Sequence, residues 1–454
     1  MDINLIRKYN IPGPRYTSYP TVPYWDEASF TTEKWIDSVN KIWENDISDR
    51  GISVYIHLPF CESLCTFCAC HKRITKQHSV EASYIETIIK EWKLYAALLN
   101  KKIKIRELHL GGGTPTFFSP ASLERLLTQL FSMADIDTEA EFSFEGHPNS
   151  TTVSHLETLY KYGFRRVSFG VQDYDPKVQK SINRIQPFEQ VQFVTNAARQ
   201  AGYKSISHDL IFGLPFQTRE SMSSAIDKTM QLKPGRISFY SYAHVPWVKG
   251  VGQRGFDEND LPSPVLKREL YEMGKMRFEE AGYIETGMDH FALPDDSLYT
   301  AMQNKTLHRN FMGYTNISTK LMIGLGMSAI SDSWYAFAQN DKSLEAYTDR
   351  VNRGLLPVFR GHLLNEEDLI IRKHILNIMC RMETSWQEEN MQTGGLENIL
   401  ERLQEPEADG LIEIMQNGIR VTGKGIPFVR NIAMAFDLRL IRDAPQTQLF
   451  SMTI

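Results

Sequence analysis

The chain has 454 residues, of which 42% are hydrophobic and 23% are charged. Its 50 basic and 55 acidic residues give a formal net charge of -5, which argues against a general nucleic-acid-binding protein. No apolar run approaches the roughly 20 residues of a membrane span, so the composition predicts a globular protein of two or three domains with no nucleic-acid or membrane partner.

Residues 1–50 are predicted to form an N-terminal arm. The stretch from Gly13 to Pro23 contains three prolines and one glycine, which exclude a regular helix. One interpretation is an arm that only covers the domain surface. The other is an arm that completes a binding site, because loops often carry function and an arginine can meet an anionic ligand. On the second interpretation, Arg15 and Tyr16 are candidate catalytic residues.

Four of the five cysteines follow a predicted strand, Val54–Leu58, within one short loop: Cys61, Cys65, Cys68 and Cys70. Disulfides between these cysteines are disfavoured, because the rest of the chain holds a single further cysteine and no targeting segment is recognisable. Both observations predict a reducing, cytoplasmic compartment. Structural zinc usually takes two ligand pairs separated by a longer loop. An iron–sulfur cluster takes thiolates, and the spacing Cys-x3-Cys-x2-Cys offers three of them.

This spacing, with Phe67 before the third cysteine, resembles the radical S-adenosylmethionine (SAM) superfamily. There a [4Fe–4S] cluster has three cysteine ligands, and SAM binds the fourth iron. The resemblance makes Cys61, Cys65 and Cys68 the predicted metal ligands. Cys70 would close the position that SAM needs, so we interpret it as a nearby thiol and a candidate catalytic residue.

Strands and helices alternate from residue 53 to about residue 245. The predicted strands are Val54–Leu58, Glu107–Leu110, Glu141–Glu145, Arg166–Val171, Ile206–Ile211 and Arg236–Ser241. The predicted helices between them are Glu81–Leu99, Ala121–Phe131, Val153–Tyr162, Glu189–Ala201 and Arg219–Leu232. Such repetition predicts an α/β fold with a partial (βα)6 barrel, in which functional residues lie at the carboxyl ends of the strands.

Polar and glycine residues lie at or just after the carboxyl ends of these strands, where the functional residues of such a barrel are expected. Three glycines, Gly111–Gly113, come after the second strand, where backbone amides can face a ligand closely. Glu145 ends the third predicted strand, Gln172 and then Arg184 come at the end of the fourth, Asp209 lies in the fifth, and Ala243 follows the sixth. Each of these residues alone is as compatible with a structural role as with a functional one. Together they predict one pocket at the barrel rim.

Residues 51–360 are predicted to form the barrel and an extension that breaks the alternation, and residues 361–454 a separate helical domain. An Asn417-Gly418 turn between two short apolar runs predicts a hairpin. Helices with a hairpin suggest a winged-helix-like domain. DNA binding is one interpretation of such a domain, but the net acidity and the fused barrel favour a lid or a partner-docking module.

Taken together, the motifs resemble the family of oxygen-independent coproporphyrinogen III oxidases, over nearly the whole chain. The most specific are the arm from Pro14 to Thr21 and the Cys-x3-Cys-x2-Cys-x-Cys loop. The resemblance implies radical SAM oxidative decarboxylation of two propionates of coproporphyrinogen III to vinyl groups, giving protoporphyrinogen IX in anaerobic haem biosynthesis. It also implies flavodoxin or ferredoxin as electron donor, and a monomer is expected.

The family binds two SAM molecules, and the resemblance implies which residues hold them. A first molecule is expected to contact Tyr55, Gly112, Glu145 and Ile330. A second is expected to contact Phe67, Gly113, Thr114, Gln172, Arg184, Asp209 and Ala243. Met312 stands where many members have glutamine, and Gly146-His147 stands where valine and aspartate are expected.

Two alternatives remain within the superfamily. A haem chaperone keeps the cluster loop, but is expected to lack the arm and the thiol of Cys70. A porphyrin-modifying radical SAM methyltransferase also uses two SAM molecules, but forms S-adenosylhomocysteine. The SAM product therefore separates methyl transfer from oxidation.

Overall fold

A computed structural model describes residues 3–44, 50–247, 252–253 and 255–453. In chain order the strands of these residues are β1 Ile52–Leu58, β2 Phe60–Cys61, β3 Arg73–Ile74, β4 Ile103–Gly112, β5 Ala134–Gly146, β6 Phe164–Gln172, β7 Ser205–Phe212, β8 Arg236–Ser241, β9 Ile284–Gly287, β10 His290–Ala292, β11 His308–Asn310, β12 Gly313–Thr315, β13 Met322–Leu325, β14 Ile330–Asp332, β15 Ala336–Asn340, β16 Val358–Leu363, β17 Glu383–Ser385, β18 Ile412–Met415 and β19 Gly418–Val421.

The α-helices alternate with the early strands and dominate the carboxyl-terminal region. They are α1 Ile3–Tyr9, α2 Thr32–Ile42, α3 Val80–Leu98, α4 Pro120–Ser132, α5 Val153–Lys161, α6 Pro176–Ser181, α7 Phe188–Ala201, α8 Arg219–Leu232, α9 Pro264–Glu280, α10 Ser297–Gln303, α11 Leu344–Asn352, α12 Glu366–Arg381, α13 Leu396–Ala408, α14 Val429–Met434 and α15 Leu438–Arg442. Thr152 and Thr218 cap the first turns of α5 and α8, which fixes where these helices begin. None of the helices in the described ranges is long and apolar enough to cross a membrane.

The predicted α/β fold with a partial barrel is confirmed. Strands β1, β4, β5, β6, β7 and β8 lie side by side in chain order, and each pairs in parallel with the next. Their carboxyl ends therefore meet at one edge of the sheet. Helices between the strands cover the outer face, where Trp92 of α3 is fully buried and donates to the carbonyl of Leu130 in α4 at 3.2 Å.

The sheet extends further than the six predicted strands. Within the described residues it has twelve strands, in the order β16-β15-β14-β13-β1-β4-β5-β6-β7-β8-β10-β9. Strand β13 adds a seventh parallel strand beside β1, and the remaining additions pair antiparallel at the two edges. These added strands are three to six residues long and follow no βα period, so sequence periodicity did not identify them.

The N-terminal helix packs on the carboxyl-terminal region. Leu5, Ile6 and Tyr9 of α1 share a hydrophobic core with residues of α12, α13 and α14. The hairpin predicted at Asn417-Gly418 forms as β18 and β19, and β17 pairs with its other side. The division of the chain into units at residues 50 and 360 stays a prediction, since β16 crosses the second boundary and the arm packs on the last unit.

Candidate active site

A cavity of about 640 Å³ opens at the carboxyl ends of the parallel strands. Its walls include the four clustered cysteines and eight of the predicted SAM-contacting residues: Cys61, Cys65, Cys68, Cys70, Phe67, Gly112, Gly113, Thr114, Glu145, Gln172, Arg184 and Asp209. These residues lie at or after the carboxyl-terminal halves of five parallel strands, β1, β4, β5, β6 and β7. The parallel order of the sheet brings them together at one edge.

The cysteine loop begins directly after β1. Arg73 and Thr75 donate backbone hydrogen bonds to the carbonyls of Pro59 and Cys61, so β2 and β3 pair and close the loop at its base. Lys72 reaches back, and its ammonium group donates to the carbonyls of Cys68 and Cys70 at 3.0 and 3.3 Å. These contacts hold the loop at the cavity wall with its thiols facing inward.

The thiols of this loop differ in acidity. Burial raises the pKa of the Cys61 thiol to about 11, although the hydroxyl of Thr114, 3.3 Å away, opposes this effect. The thiol of Cys70 hydrogen-bonds to Cys68 and, as the main cause, lowers the pKa of Cys68 to about 6. Thiolate is the ligand form of cysteine, and the contact with Cys70 favours that form at Cys68.

The glycine turn after β4 passes directly beside this loop. A Cβ atom added to Gly113 would lie 2.4 Å from the carbonyl oxygen of Pro59 and 3.0 Å from the sulfur of Cys61. Gly112 has a φ of +116°, and a Cβ there would lie 2.7 Å from Nδ1 of His57. Neither position has room for a side chain, so the glycines allow the turn and the cysteine loop to form one continuous wall.

Glu145 ends β5 and projects towards this turn. One of its carboxylate oxygens accepts from the backbone amide of Gly112 at 3.3 Å, and the other lies 3.5 Å from Nε2 of His109. The ring of His109 stacks on Tyr55 with centroids 6.0 Å apart. The side chain of Glu145 remains 48% exposed, so its carboxylate is available to the amino or hydroxyl groups of a ligand.

Arg184 anchors the opposite wall. Its guanidinium group donates to the carbonyl of Gly170 at 2.5 Å and to Oε1 of Gln186 at 3.2 Å, and it reaches the sulfur of Cys65 at 3.6 Å. Gln172 ends β6 with a φ of +68°, a conformation that few non-glycine residues adopt. This wall therefore places one fixed positive charge beside the cysteine loop.

Asp209 marks the floor of the cavity. Its carboxylate accepts from the hydroxyl of Ser168 at 2.8 Å, and burial raises its pKa to about 6. Below it a polar chamber of about 120 Å³ enters the barrel interior, sharing Glu145, Ser168, Asp209 and Tyr240 with the cavity. Met312, the departure noted in the sequence, lines this chamber.

Five predicted site residues do not line the cavity: Tyr55, Ala243, Ile330, Arg15 and Tyr16. Tyr55 lies next to it, with its hydroxyl 3.0 Å from Nδ1 of His57. Ile330 packs near Trp25 and Phe337. Tyr16 is buried in the carboxyl-terminal core and donates its hydroxyl to Asp437 at 3.0 Å, so its contribution to the site stays a prediction.

Two residues near the site were not identified from the sequence as functional. The side-chain amide of Gln253 donates to the carbonyls of Phe67 and Ala243 at 3.1 and 2.8 Å, which ties the cysteine loop to the segment after β8. His147 lines the cavity, and burial with the nearby charge of Arg184 lowers its pKa to about 2. It therefore faces the cavity as a neutral imidazole. The sequence distinguishes His147 only because it stands where the family resemblance predicts an aspartate.

The residues present fit an iron–sulfur cluster with SAM beside it. In the described ranges, no three histidine, cysteine or carboxylate side chains converge where one metal ion could be held. The three predicted thiol ligands instead spread along one cavity wall, which suits a cluster of several irons better than a single zinc ion. The glycine turn and Glu145 adjoin the thiols and provide amide and carboxylate groups for an amino acid ligand.

Comparisons with known proteins agree with this geometry. The sequence profile described as the radical SAM superfamily matches residues 55–228. An oxygen-independent coproporphyrinogen III oxidase of Pseudomonas aeruginosa is 37% identical over 443 residues, covering 96% of this chain and 95% of the relative. The protein of the same name from Helicobacter pylori strain J99 is 39% identical over 446 residues, covering 97% of each. The solved structure of Escherichia coli coproporphyrinogen III oxidase, described as a radical SAM enzyme, superposes with a TM-score of 0.89 at 35% identity, covering 96% of this chain and 98% of that one.

Proposed function

The chain belongs to the family of oxygen-independent coproporphyrinogen III oxidases, and on this basis we propose that it converts two propionates of coproporphyrinogen III into vinyl groups, giving protoporphyrinogen IX. One observation carries this function. The chain aligns along its whole length with coproporphyrinogen III oxidases, and the residues that would hold a [4Fe–4S] cluster and SAM line one cavity. The enzyme is thus a radical SAM oxidoreductase.

Each conversion removes one hydrogen atom, one molecule of CO2 and one electron from a propionate carboxylate, and the electron passes to a separate one-electron acceptor. The bond from the side chain to the carboxyl carbon breaks, CO2 leaves, and a carbon–carbon double bond forms. When bound, the cluster and SAM supply a 5′-deoxyadenosyl radical that takes the hydrogen atom from the β-carbon. The protein residues bind, orient and exclude water from the reacting groups.

We assign binding roles to the cavity residues from their positions. Cys61, Cys65 and Cys68 would hold the cluster, and Glu145 would accept from the amino group or ribose hydroxyls of SAM. Arg184 lies beside Cys65 and Asp209 lies on the floor of the cavity, where they suit a second SAM molecule. The carboxylates and amide groups are already fixed by neighbouring hydrogen bonds, so little reorganisation accompanies binding.

Cys70 suits a role beside the cluster rather than a ligand role. It is exposed, whereas Cys65 is buried and Cys61 and Cys68 are intermediate. Its thiol bonds to Cys68. A thiol in this position would adjust the negative charge on the sulfur of Cys68, the third predicted ligand. It would leave one iron open for SAM. For the arm we propose a positioning role of another kind, since Arg15 donates to the carbonyl of Ser241 at the end of β8 and Tyr16 anchors the arm on Asp437.

The electron donor, the assembly and the compartment complete the proposal. The segment after the cysteines exposes His71, Arg73 and Lys76 together with Ile74. Arg73 pairs with Glu345 at 2.8 Å, and we propose that an acidic group of a flavodoxin or ferredoxin takes the place of this partner when the donor docks beside the cysteine loop. We propose that the enzyme acts as a monomer, and that it works in the cytoplasm, because five free thiols are best preserved in a reducing compartment.

The test is anaerobic turnover by the reconstituted enzyme. The protein, loaded with iron and sulfide, is given SAM, a reductant and coproporphyrinogen III, and mass spectrometry follows the tetrapyrrole and the SAM products together. Loss of two carboxyl groups with formation of 5′-deoxyadenosine supports the function. An unchanged tetrapyrrole, tight haem binding or formation of S-adenosylhomocysteine contradicts it and indicates a chaperone or a methyltransferase.

A further inference from the structure

His147 lines the cavity, and its backbone is held in a tight turn directly after β5. The carbonyl of His147 accepts from the backbone amides of Ser150 and Thr151 at 3.0 and 2.9 Å. Its own amide donates to the hydroxyl of Thr116 at 3.3 Å. These hydrogen bonds fix the part of the chain that carries the imidazole at the cavity wall.

The two ring nitrogens of His147 have different surroundings. Nδ1 accepts from the backbone amide of Asn149 at 3.1 Å, and in the described part of the chain this is the one hydrogen bond of the imidazole. Burial and the charge of Arg184 lower the pKa of His147 to about 2, so the ring is neutral. A neutral imidazole that accepts at Nδ1 carries its hydrogen on Nε2. An N–H donor is therefore left for a ligand in the cavity.

The aspartate that the family resemblance predicts at this position would give the wall a different chemistry. An aspartate oxygen can accept from the same amide, two residues further along the chain, as in an Asx turn. It would also place a negative charge at the cavity and would offer no donor. Histidine keeps the bond within the turn, removes the charge and adds an N–H group. The wall of this chain is therefore better suited to an anion.

Arg184 provides a positive charge near His147. Its guanidinium group has five N–H donors, and three of them are used by the carbonyl of Gly170, the side-chain oxygen of Gln186 and the sulfur of Cys65. None of these three partners is a carboxylate. Two N–H groups and the positive charge of Arg184 therefore remain for a ligand, and Nε2 of His147 adds a neutral donor.

The carboxylates that line the cavity have other contacts. Glu62 lies 3.4 Å from Nε2 of His78, and Glu145 accepts from the backbone amide of Gly112. Asp209 lies on the floor, where it accepts from a serine hydroxyl. None of the three forms an ion pair with the guanidinium group within the described residues. The two donors on this wall thus have room for a carboxylate that comes from a ligand.

We propose that His147 binds SAM, and that its Nε2–H donates to the carboxylate of the SAM molecule assigned to Arg184. The inference rests on the proposed function, which brings SAM into this cavity. The carboxylate is the one anionic group of SAM, because its amino and sulfonium groups are cationic. Arg184 and His147 therefore receive that end of the molecule and orient it beside Cys65.

The test uses two substitutions that each copy one ring nitrogen. Asparagine has a side-chain oxygen that can accept from the amide of Asn149, as Nδ1 does, but it does not extend as far as Nε2. Glutamine carries an N–H donor as far as Nε2, but it does not keep the bond within the turn. His147→Gln should therefore retain SAM affinity and His147→Asn should lose it. A purely structural role of His147 predicts the opposite order.

Equilibrium dialysis of the reconstituted full chain, with its cluster oxidised, measures the dissociation constants of SAM and of decarboxylated SAM, which lacks the carboxylate. A hydrogen bond to a charged group changes affinity by about tenfold or more. We expect His147→Asn to raise the Kd of SAM by about that factor and to leave the Kd of decarboxylated SAM unchanged. His147→Asp, which adds a negative charge, should weaken SAM binding further than His147→Asn.

His155→Gln is the matched control. His155 also lines the cavity, but its Nδ1 contacts the hydroxyl of Thr152 and its Nε2 contacts the carbonyl of Phe118. The preference of this variant for SAM over decarboxylated SAM should equal that of the wild type. The absorbance of the iron–sulfur cluster and the melting temperature verify that each variant is folded, and His147→Asp replaces His147→Asn in the comparison if the latter is not.

An equal loss of affinity for both ligands would overturn the proposal, and so would tighter SAM binding by His147→Asn than by His147→Gln. A propionate of the tetrapyrrole is the other carboxylate that could bind here. If His147→Asn keeps its SAM affinity but loses a preference for coproporphyrin III over its tetramethyl ester as inhibitor, the assignment to SAM is wrong. A wild type that prefers SAM over decarboxylated SAM but leaves coproporphyrinogen III unchanged would contradict the proposed function and not this role of His147.

Discussion

The hydroxyl of Thr114 is expected to tune the iron–sulfur cluster. It lies 3.3 Å from the sulfur of Cys61, and its hydrogen bond lowers the pKa of that thiol and so favours the thiolate. In the ligated state this hydroxyl donates to a sulfur whose negative charge grows when the cluster is reduced. A hydrogen bond of this kind raises the reduction potential, so Thr114→Val should lower it.

The size of the shift follows from the strength of one hydrogen bond. If the bond is stronger by about 1 kcal/mol in the reduced state, the potential changes by about 40 mV, because 1.4 kcal/mol corresponds to about 59 mV for one electron. Valine keeps the shape of threonine, so the glycine turn and the cysteine loop should stay in place.

Electron paramagnetic resonance during a redox titration without SAM measures this potential directly. Thr116→Val is the matched control: its hydroxyl is 2.8 Å from that of Ser150, and no hydrogen bond from it to a cysteine is found in the described residues. A potential that is unchanged in Thr114→Val, or that falls equally in both variants, would refute the reasoning.

Three other predictions concern the same cavity. Cys61→Ala, Cys65→Ala and Cys68→Ala should each abolish the brown cluster absorbance, whereas Cys70→Ala should keep it with reduced turnover; a colourless Cys70→Ala would make Cys70 a ligand. Burial raises the pKa of Asp209 from 3.8 to about 6, so the folded protein binds this proton more tightly and loses stability as the pH rises from about 4 to about 6. Asp209→Asn should therefore be more stable than the wild type at pH 7 by about 3 kcal/mol, with the difference in melting temperature vanishing near pH 4; a constant difference would contradict this. Gln253→Leu removes one hydrogen bond to the cysteine loop and two to the segment after β8. At about 1 kcal/mol for a bond, loss of this link should weaken SAM binding roughly tenfold in equilibrium dialysis, while unchanged binding would show that the two segments stay in place without it.

Much of the barrel followed from local patterns in the sequence. The strand before the cysteines was predicted at Val54–Leu58 and forms at Ile52–Leu58, and the helix predicted at Arg219–Leu232 forms with those bounds. Each alternation of apolar strand and amphipathic helix is set by nearby residues. Because parallel strands gather their carboxyl ends, the same patterns also placed Glu145 and Asp209 at one rim.

Contacts between distant parts of the chain had no such signal. Tyr16 bonds to Asp437, 421 positions away, so its burial in the second core was not visible in the arm sequence. Lys267 lies in α9, and its sequence does not show that Gly213, which is 54 positions earlier, leaves room for its side chain. No local pattern in the sequence links Tyr16 with Asp437 or Lys267 with Gly213. These contacts arise from the packing of the arm, the barrel and the last helices.

The attachment of the arm has a consequence for the order in which the protein matures. Gly13 and Pro14 are held by Arg430, and Pro12 pairs with Met452. During synthesis these partners leave the ribosome well after the cysteine loop and its supporting strands. The arm therefore cannot dock until the segment from Arg430 to Met452 has been made. Until then Leu5, Ile6 and Tyr9 also lack the core that buries them.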